Sequence, residues 1–219
     1  TIDKFTFASD ADATDVGDMI AVNNYPTGQS SNTHGYISGG GHITTNAIQK
    51  FTFASDGNAT DVGDLTVGRS SQAGQSSTTY GYSSGGVPPN TDTIDKFTFA
   101  SDANATDVGD LTVARNYASG QTSTTHGYSS GGTPGSKNEI DKFTFASDAN
   151  ATDVGDLLGA IGELGGNNSS SSLTYGYTAG GYPDTNTIQK HSFTTDGNST
   201  DVANLYNNVI NGNACGTQI

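Results

Sequence analysis

Apolar and polar residues alternate over short stretches of this chain. In the stretch IDKFTFAS, Phe97 and Phe99 point to one side, and Lys96 and Thr98 point to the other. This period of two predicts a β-strand of about six to eight residues. The turn-forming letters DANATD follow, and DVGDLTVAR resumes an extended run, so the two runs are predicted to form a hairpin.

A second hairpin is predicted in the Ser- and Thr-rich stretch ASGQTSTTHGYSSGG. We expect Gly127 to form its tight turn and Tyr128 to open the next strand. No ten-residue stretch carries apolar residues at the spacing of a helix face. The chain is therefore predicted to be all-β.

Both hairpins recur along the chain at a fixed step. The isoleucines that open the first phrase are spaced by 46, 46, 46 and 48 residues: Ile2, Ile48, Ile94, Ile140 and Ile188. The phrase HGYISGG and its variants recur at nearly the same step, from His34, Tyr80, His126 and Tyr175. We expect one repeat domain, 1–219, with units at about 1–46, 47–92, 93–138, 139–186 and 187–219.

Four strands in about 46 residues are typical of a β-propeller blade. The chain starts at what would be a third strand and finishes with NGNACGTQI, which could complete that sheet. The prediction is a propeller, five-bladed if closed, with Phe5, Phe7 and their copies in the interfaces between blades. An open stack of the same units is the alternative.

The spacing of several residues resembles the kelch repeat. Arg115 stands sixteen residues before Gly131, Tyr128 precedes the pair Gly131-Gly132, and Phe143 lies in the next strand. Tyr82, Gly85, Gly86 and Phe97 repeat this arrangement in another unit. The resemblance covers nearly the whole chain and implies a propeller, although the Trp of the usual motif is absent.

The phrase KFTFASDANATDVGDL also resembles kelch-like arrays in tail-fibre and structural proteins of marine tailed phages. That resemblance implies a structural protein on a virion.

The charge of the chain limits its partners. It has 22 Asp and Glu against 8 Lys and Arg, a net charge of −14. Such a surface repels nucleic acid phosphates and anionic membranes. The single cysteine, Cys215, excludes an intrachain disulfide framework and a Cys-based zinc site. Abundant Gly, Ser, Thr and Asn are typical of secreted or virion-surface β-proteins, so we expect an extracellular or virion-surface location.

The acidic phrase has two interpretations. Asp102, Asn104, Thr106 and Asp110 follow the 1-3-5-9 spacing of a Ca²⁺ loop, and the loops starting at Asp56 and Asp148 do likewise. The alternative is a hairpin turn that Asp and Asn side chains stabilise. The loop lacks a glycine at its bend and a glutamate at its end, so we predict a turn and no cofactor.

The asparagines of the phrase also fit the N-x-[ST] acceptor sequence for glycans. Four copies have it, at Asn58, Asn104, Asn150 and Asn198, and Asn168 adds a fifth match. The first copy has Asp12 in that place, so the repeat does not require a glycan. An asparagine that stabilises a turn is the interpretation we favour.

Candidate binding residues share one position in the second phrase: His34, Tyr80, His126 and Tyr175. They are predicted to ring one face of the propeller, where aromatic and imidazole rings can stack on sugars, or to be ordinary loop-tip residues. No Cys–His pair, Ser-His-Asp grouping or H-x-x-x-H is visible.

We therefore predict a non-enzymatic structural or binding module displayed on a surface, such as a phage fibre or an extracellular filament. Its expected partner is a glycan or polymeric receptor, and it could form a homo-oligomer or part of a larger fibre. The alternatives are a calcium-stabilised spacer and a carbohydrate-active enzyme.

Overall fold

A computed structural model describes residues 1–21, 23–41, 45–162, 169–182 and 185–209. Every regular element in these ranges is a β-strand, which confirms the all-β prediction. The strands are β1 (Ile2–Lys4), β2 (Thr14–Gly17), β3 (Thr27–Ser30), β4 (His34–Ser38), β5 (Ala47–Thr52), β6 (Thr60–Asp64), β7 (Ala73–Ser76), β8 (Tyr80–Ser84), β9 (Thr93–Thr98), β10 (Thr106–Asp110), β11 (Ser119–Thr122), β12 (His126–Ser130), β13 (Lys137–Thr144), β14 (Thr152–Ile161), β15 (Ser169–Ser171), β16 (Tyr175–Ala179), β17 (Thr185–Ser192) and β18 (Thr200–Val209).

The strands form four antiparallel four-stranded sheets, which are arranged as the four blades of a β-propeller. Blade 1 is β3–β6, blade 2 is β7–β10, blade 3 is β11–β14 and blade 4 is β15–β18. Their innermost strands β3, β7, β11 and β15 pack on one another in chain order. The remaining strands, β1 and β2, pair with each other ahead of blade 1. The predicted propeller of four-stranded blades is confirmed.

Some expectations fall on residues that the structure does not describe. The five-bladed closure depends on the tail 211–219, which lies outside the described residues together with Cys215 and Asn168. None of the described residues belongs to a helix that is long and apolar enough to cross a membrane.

Each blade combines two neighbouring repeat units. Blade 2 takes β7 and β8 from the unit 47–92 and takes β9 and β10 from the unit 93–138. The chain accordingly starts at the position of a third strand, as predicted. Turns within the hairpins lie at one end of every blade, which we call the hairpin face. The opposite end carries the Gly-Gly pairs and the connections between blades, and we call it the Gly-Gly face.

The turn predicted at Gly127 is wrong. The turn lies before it, where the backbone N–H of Ser123 donates to the carbonyl of His126 at 2.9 Å. Gly127 is inside β12, paired with Phe143 across the sheet. A Cβ atom on Gly127 would lie 2.3 Å from Cζ of Phe143, so this glycine makes room for the aromatic ring.

The core consists of aromatic clusters that bridge neighbouring blades. The ring of Tyr36 in blade 1 stacks on Phe99 of blade 2 at a centroid distance of 4.7 Å and also meets Phe97. Tyr82 and Tyr128 make the same contacts with blades 3 and 4. Burial raises the pKa of both Tyr82 and Tyr128 to about 12. The prediction that the phenylalanines fill blade interfaces is therefore confirmed for Phe97 and its copy in blade 3.

The same prediction is wrong for Phe5, Phe7 and Phe53, which are 62%, 80% and 54% exposed. In blades 2, 3 and 4, a tyrosine from the second strand of the preceding blade stacks on the corresponding phenylalanine. The pair β1–β2 precedes blade 1 and does not include a strand that would supply this tyrosine. Within the described residues, no tyrosine stacks on Phe5, Phe7 or Phe53.

The Gly-Gly pairs permit close contact between blades. The backbone N–H of Gly86 donates to the carbonyl of Arg115 in the next blade's entry loop at 2.8 Å. A Cβ atom on Gly85 would lie 2.4 Å from the same carbonyl oxygen. This confirms that glycine is needed here for the approach of two backbones.

Candidate functional site

The repeated acidic phrase fastens each hairpin to the preceding blade. In blade 2, the Asn104 side-chain oxygen accepts a hydrogen bond from the backbone N–H of Asp64 in blade 1 at 3.1 Å. The backbone N–H of Ala105 donates to the carbonyl of Asp64 at 2.7 Å. The Asp102 carboxylate pairs with the Lys50 ammonium of blade 1. We call this set of contacts the interblade clasp.

The clasp recurs at each successive interface. Its asparagine contacts are Asn58 to Asp18, Asn104 to Asp64, Asn150 to Asp110, and Asn198 to Asp156. Its ion pairs are Lys4–Asp56, Lys50–Asp102, Lys96–Asp148 and Lys142–Asp196.

A glycine in the outer strand of the preceding blade makes room for the clasp. A Cβ atom on Gly109 would lie 2.5 Å from the carbonyl oxygen of Ala149, and Gly63 and Gly155 are equally close to the loop they face. Ala203 occupies the matching position in the last copy of the phrase. The outer strand of blade 4 therefore lacks the glycine against which the next hairpin packs in the other blades.

These contacts engage the side chains that the calcium interpretation requires. Asp102 and Asn104 turn to two different groups of the neighbouring blade instead of converging on one point. In the described part of the chain, no group of three or more His, Cys, Asp or Glu side chains is close enough to hold a metal ion. The geometry favours a structural role for the phrase, and the role lies between blades as well as within the hairpin.

In the repeated phrase, the side chains of Asn58, Asn104, Asn150 and Asn198 are exposed, and their oxygens serve the clasp. Their use as glycan acceptors stays a prediction. What the sequence did not reveal is that Asn104 contacts a residue 40 positions earlier.

The predicted binding residues occupy one equivalent place in each of the four blades. His34, Tyr80, His126 and Tyr175 are the first residues of β4, β8, β12 and β16, at the hairpin face. All four are half-buried. We call them the ring row.

Neighbouring side chains hold the rings of this row in place. The Nδ1 atoms of His34 and His126 lie 2.8 Å from the hydroxyls of Thr33 and Thr125. The ammonium of Lys96 lies 5.1 Å from the centre of the Tyr80 ring, and Lys190 makes the corresponding contact with Tyr175 at 4.3 Å.

Burial lowers the pKa of His126, and the positive charge of Lys142 lowers it further, against an opposing effect of Asp196. This imidazole is therefore neutral at pH 7. The row offers aromatic and imidazole rings beside ammonium groups and hydroxyls, which can stack on a sugar and form hydrogen bonds with it.

Two buried ion pairs lie inside the middle blades. In blade 2, Arg69 donates to the carboxylate of Asp95, which also accepts a hydrogen bond from the Thr66 hydroxyl at 2.7 Å. Arg115 and Asp141 form the same pair in blade 3. All four side chains are at most 1% exposed.

Blades 1 and 4 have other residues at both positions of this pair. The aspartate position holds Gln49 in blade 1 and Gln189 in blade 4, and the arginine position holds Asn23 and Ile161. The amide oxygens of Gln49 and Gln189 accept a backbone N–H at 2.8 Å in place of the threonine contact. Sequence reasoning missed these pairs, although the joint replacement of Asp and Arg is visible among the copies.

A scan of protein-family models finds none that matches the chain, and a search of curated proteins finds no similar protein.

Proposed function

We propose that this chain is a non-enzymatic structural and binding module displayed on a surface, such as a phage fibre or an extracellular filament. Its hairpin face binds a glycan or another polymeric receptor. The observation that carries the proposal is the ring row, which presents one half-exposed ring at the same place in each blade.

Repetition of the row favours a polymer as the partner. Four equivalent weak contacts to one polymer act together, since the first contact raises the effective concentration of the others. A glycan with repeating sugars has the matching periodicity. The net charge of −14 favours a neutral or cationic polymer over a nucleic acid or an anionic membrane.

The same repetition argues against catalysis. An active site needs different groups that meet once, whereas the rings of the row come from copies of one phrase. The extracellular or virion-surface location follows from composition and from the resemblance to kelch-like phage arrays. A spacer stabilised by calcium and a carbohydrate-active enzyme are the rival functions.

Glycan-array binding by the whole chain tests the proposal. We expect the double variant His126→Ala with Tyr80→Ala to lose binding, because it removes rings from adjacent blades. The matched control is Val67→Ser, which changes a side chain that is 57% exposed in the connection between blades 1 and 2. Wild-type protein that binds no glycan would support the spacer, and turnover of a polysaccharide would support the enzyme.

A further inference from the structure

The copies of the repeat differ from one another in the connections between blades on the Gly-Gly face. The connections that lead into blades 1, 2 and 3 read MIAVNNYPTG (19–28), LTVGRSSQAG (65–74) and LTVARNYASG (111–120). The pair Asn-Tyr stands at 24–25 and again at 116–117, and Ser-Ser takes its place at 70–71. A site that is built once, and not once per blade, requires residues that differ among the copies.

The structure brings the two divergent tyrosines together. Tyr25, Ser71 and Tyr117 lie just before the innermost strands of blades 1, 2 and 3. The Ser71 N–H donates to the Tyr25 carbonyl at 2.9 Å, and the Tyr117 N–H donates to the Ser71 carbonyl at 2.8 Å. The rings of Tyr25 and Tyr117 meet edge to face, with centroids 5.7 Å apart. We call these two rings the tyrosine platform.

The backbone of the platform has an unfavourable conformation. Tyr25, Ser71 and Tyr117 have φ angles of 52°, 59° and 54°. This left-handed region is costly for bulky residues and costs glycine nothing. The three connections share this conformation, which therefore belongs to the fold. The backbone does not require a ring there, since Ser71 adopts the same conformation, and bulky residues held in this region motivate a hypothesis of function.

The described residues beside the platform are polar and uncharged. Asn24 is exposed beside Tyr25, and Asn116 accepts a hydrogen bond from the Thr133 hydroxyl at 2.9 Å. Ser71 is 2% exposed, and its hydroxyl has no hydrogen-bond partner among the described residues. The nearby arginines Arg69 and Arg115 are buried in their ion pairs, so their charges are neutralised.

We propose that the tyrosine platform is a second binding site, on the face opposite the ring row, and that it takes a neutral sugar residue of a glycan. The exposed Tyr25 ring, at 53%, offers a flat apolar surface to the C–H face of a sugar. The exposed amide of Asn24 and the hydroxyls of the two tyrosines suit the sugar hydroxyls. The site depends on other residues than the ring row and goes beyond the function proposed for that row.

Titration of the whole chain with neutral hexasaccharides of glucose, mannose and galactose tests the site. Calorimetry gives the affinity, and the NMR signals of the tyrosine rings locate the binding. We expect Tyr25→Gly and Tyr117→Gly each to weaken binding about tenfold or more without lowering the unfolding temperature, because glycine relieves the strained backbone.

Ser71→Gly is the matched control. It removes the same backbone strain from the connection that leads into blade 2 and keeps both tyrosine rings. The affinity for the saccharide should therefore be retained. Tyr25→Phe keeps the ring without its hydroxyl and should also bind.

Five outcomes would overturn the proposal, and the first three concern the wild type and the glycine variants. They are wild-type protein that shifts no signal of Tyr25 or Tyr117 with any of the three saccharides, glycine variants that bind as wild type, and glycine variants that unfold at a lower temperature while their affinity is unchanged. The fourth is Tyr25-dependent binding of a proline-rich peptide alone, which would show that the ligand class is wrong. Binding that is lost only in the His126→Ala and Tyr80→Ala variant belongs to the ring row, and it would overturn the platform while supporting the function proposed above.

Discussion

The guanidinium of Arg69 donates to the carboxylate of Asp95 at 2.9 Å, and neither side chain is more than 1% exposed. A buried charge is costly without its partner, whereas replacement of both members of such a pair is often tolerated. The protein contains both arrangements in one chain, because blade 1 has the uncharged Asn23 and Gln49 at the same positions.

We expect Asp95→Gln to lower the free energy of unfolding by about 3–5 kcal/mol, because it leaves the Arg69 charge buried and unpaired. The double variant Arg69→Asn with Asp95→Gln reproduces the residues of blade 1 and should recover most of that loss. Urea unfolding measures both. Equal destabilisation in the single and double variants would contradict this account.

Gly109→Ala should destabilise the protein by about 1–3 kcal/mol, the range for overpacking a close contact. Its Cβ would lie 2.5 Å from the carbonyl oxygen of Ala149, and the clasp would have to move. Gly57→Ala is the control, because no atom lies within 4 Å of the Cβ position there. A fall in unfolding temperature for Gly57→Ala as large as for Gly109→Ala would show that spacing between blades is not the cause.

His191 should make the interface between blades 3 and 4 sensitive to acid. Burial lowers the pKa of this imidazole from its ordinary value of 6.5 to about 4. The unfolded chain therefore takes up a proton at a higher pH than the folded chain. Stability is fully present above pH 6.5 and falls as the pH drops towards 4, by up to about 3 kcal/mol.

The variant His191→Phe, which carries the residue found at Phe143 in blade 3, should lose this part of the pH dependence. Urea midpoints between pH 7.5 and 4.5 for both proteins measure the difference. Parallel profiles for the variant and the wild type would exclude His191 as the cause.

Calcium should stabilise the chain no more than NaCl does at matched ionic strength. Asp102 is paired with Lys50, and Asn104 is bonded to the backbone of Asp64, so added salt should act mainly by screening the repulsion of a chain at net −14. Thermal unfolding with chelator, NaCl and CaCl₂ measures this. A fall in melting temperature with chelator that NaCl does not restore would indicate a metal site.

The strands and the blade size could be predicted from the sequence because they depend on local patterns. The alternation around Phe97 and Phe99 gave β9, and the fixed step of the repeats gave the propeller. The structural role of Gly127 could not be predicted from a local pattern. A glycine that faces an aromatic ring across a sheet and a glycine that forms a turn look alike along the chain.

Contacts between blades were the other part that the sequence did not reveal. Asn104 fits a turn residue, a glycan acceptor or a calcium ligand, and only the fold shows that it reaches Asp64 of the preceding blade. The platform residues Tyr25 and Tyr117 lie in the divergent connections, whereas the sequence argument was built on the parts that repeat. The prediction that the ring row serves binding stays open to the glycan experiment.

Every blade takes its inner strands from one repeat unit and its outer strands from the next. A gene that gains or loses one whole unit therefore still encodes complete four-stranded blades, and a clasp of the same kind forms at each new junction. Recombination between the near-identical copies would change the number of blades in whole steps. The length of this protein can therefore vary during evolution in steps of one four-stranded blade, with the pair β1–β2 unchanged ahead of blade 1.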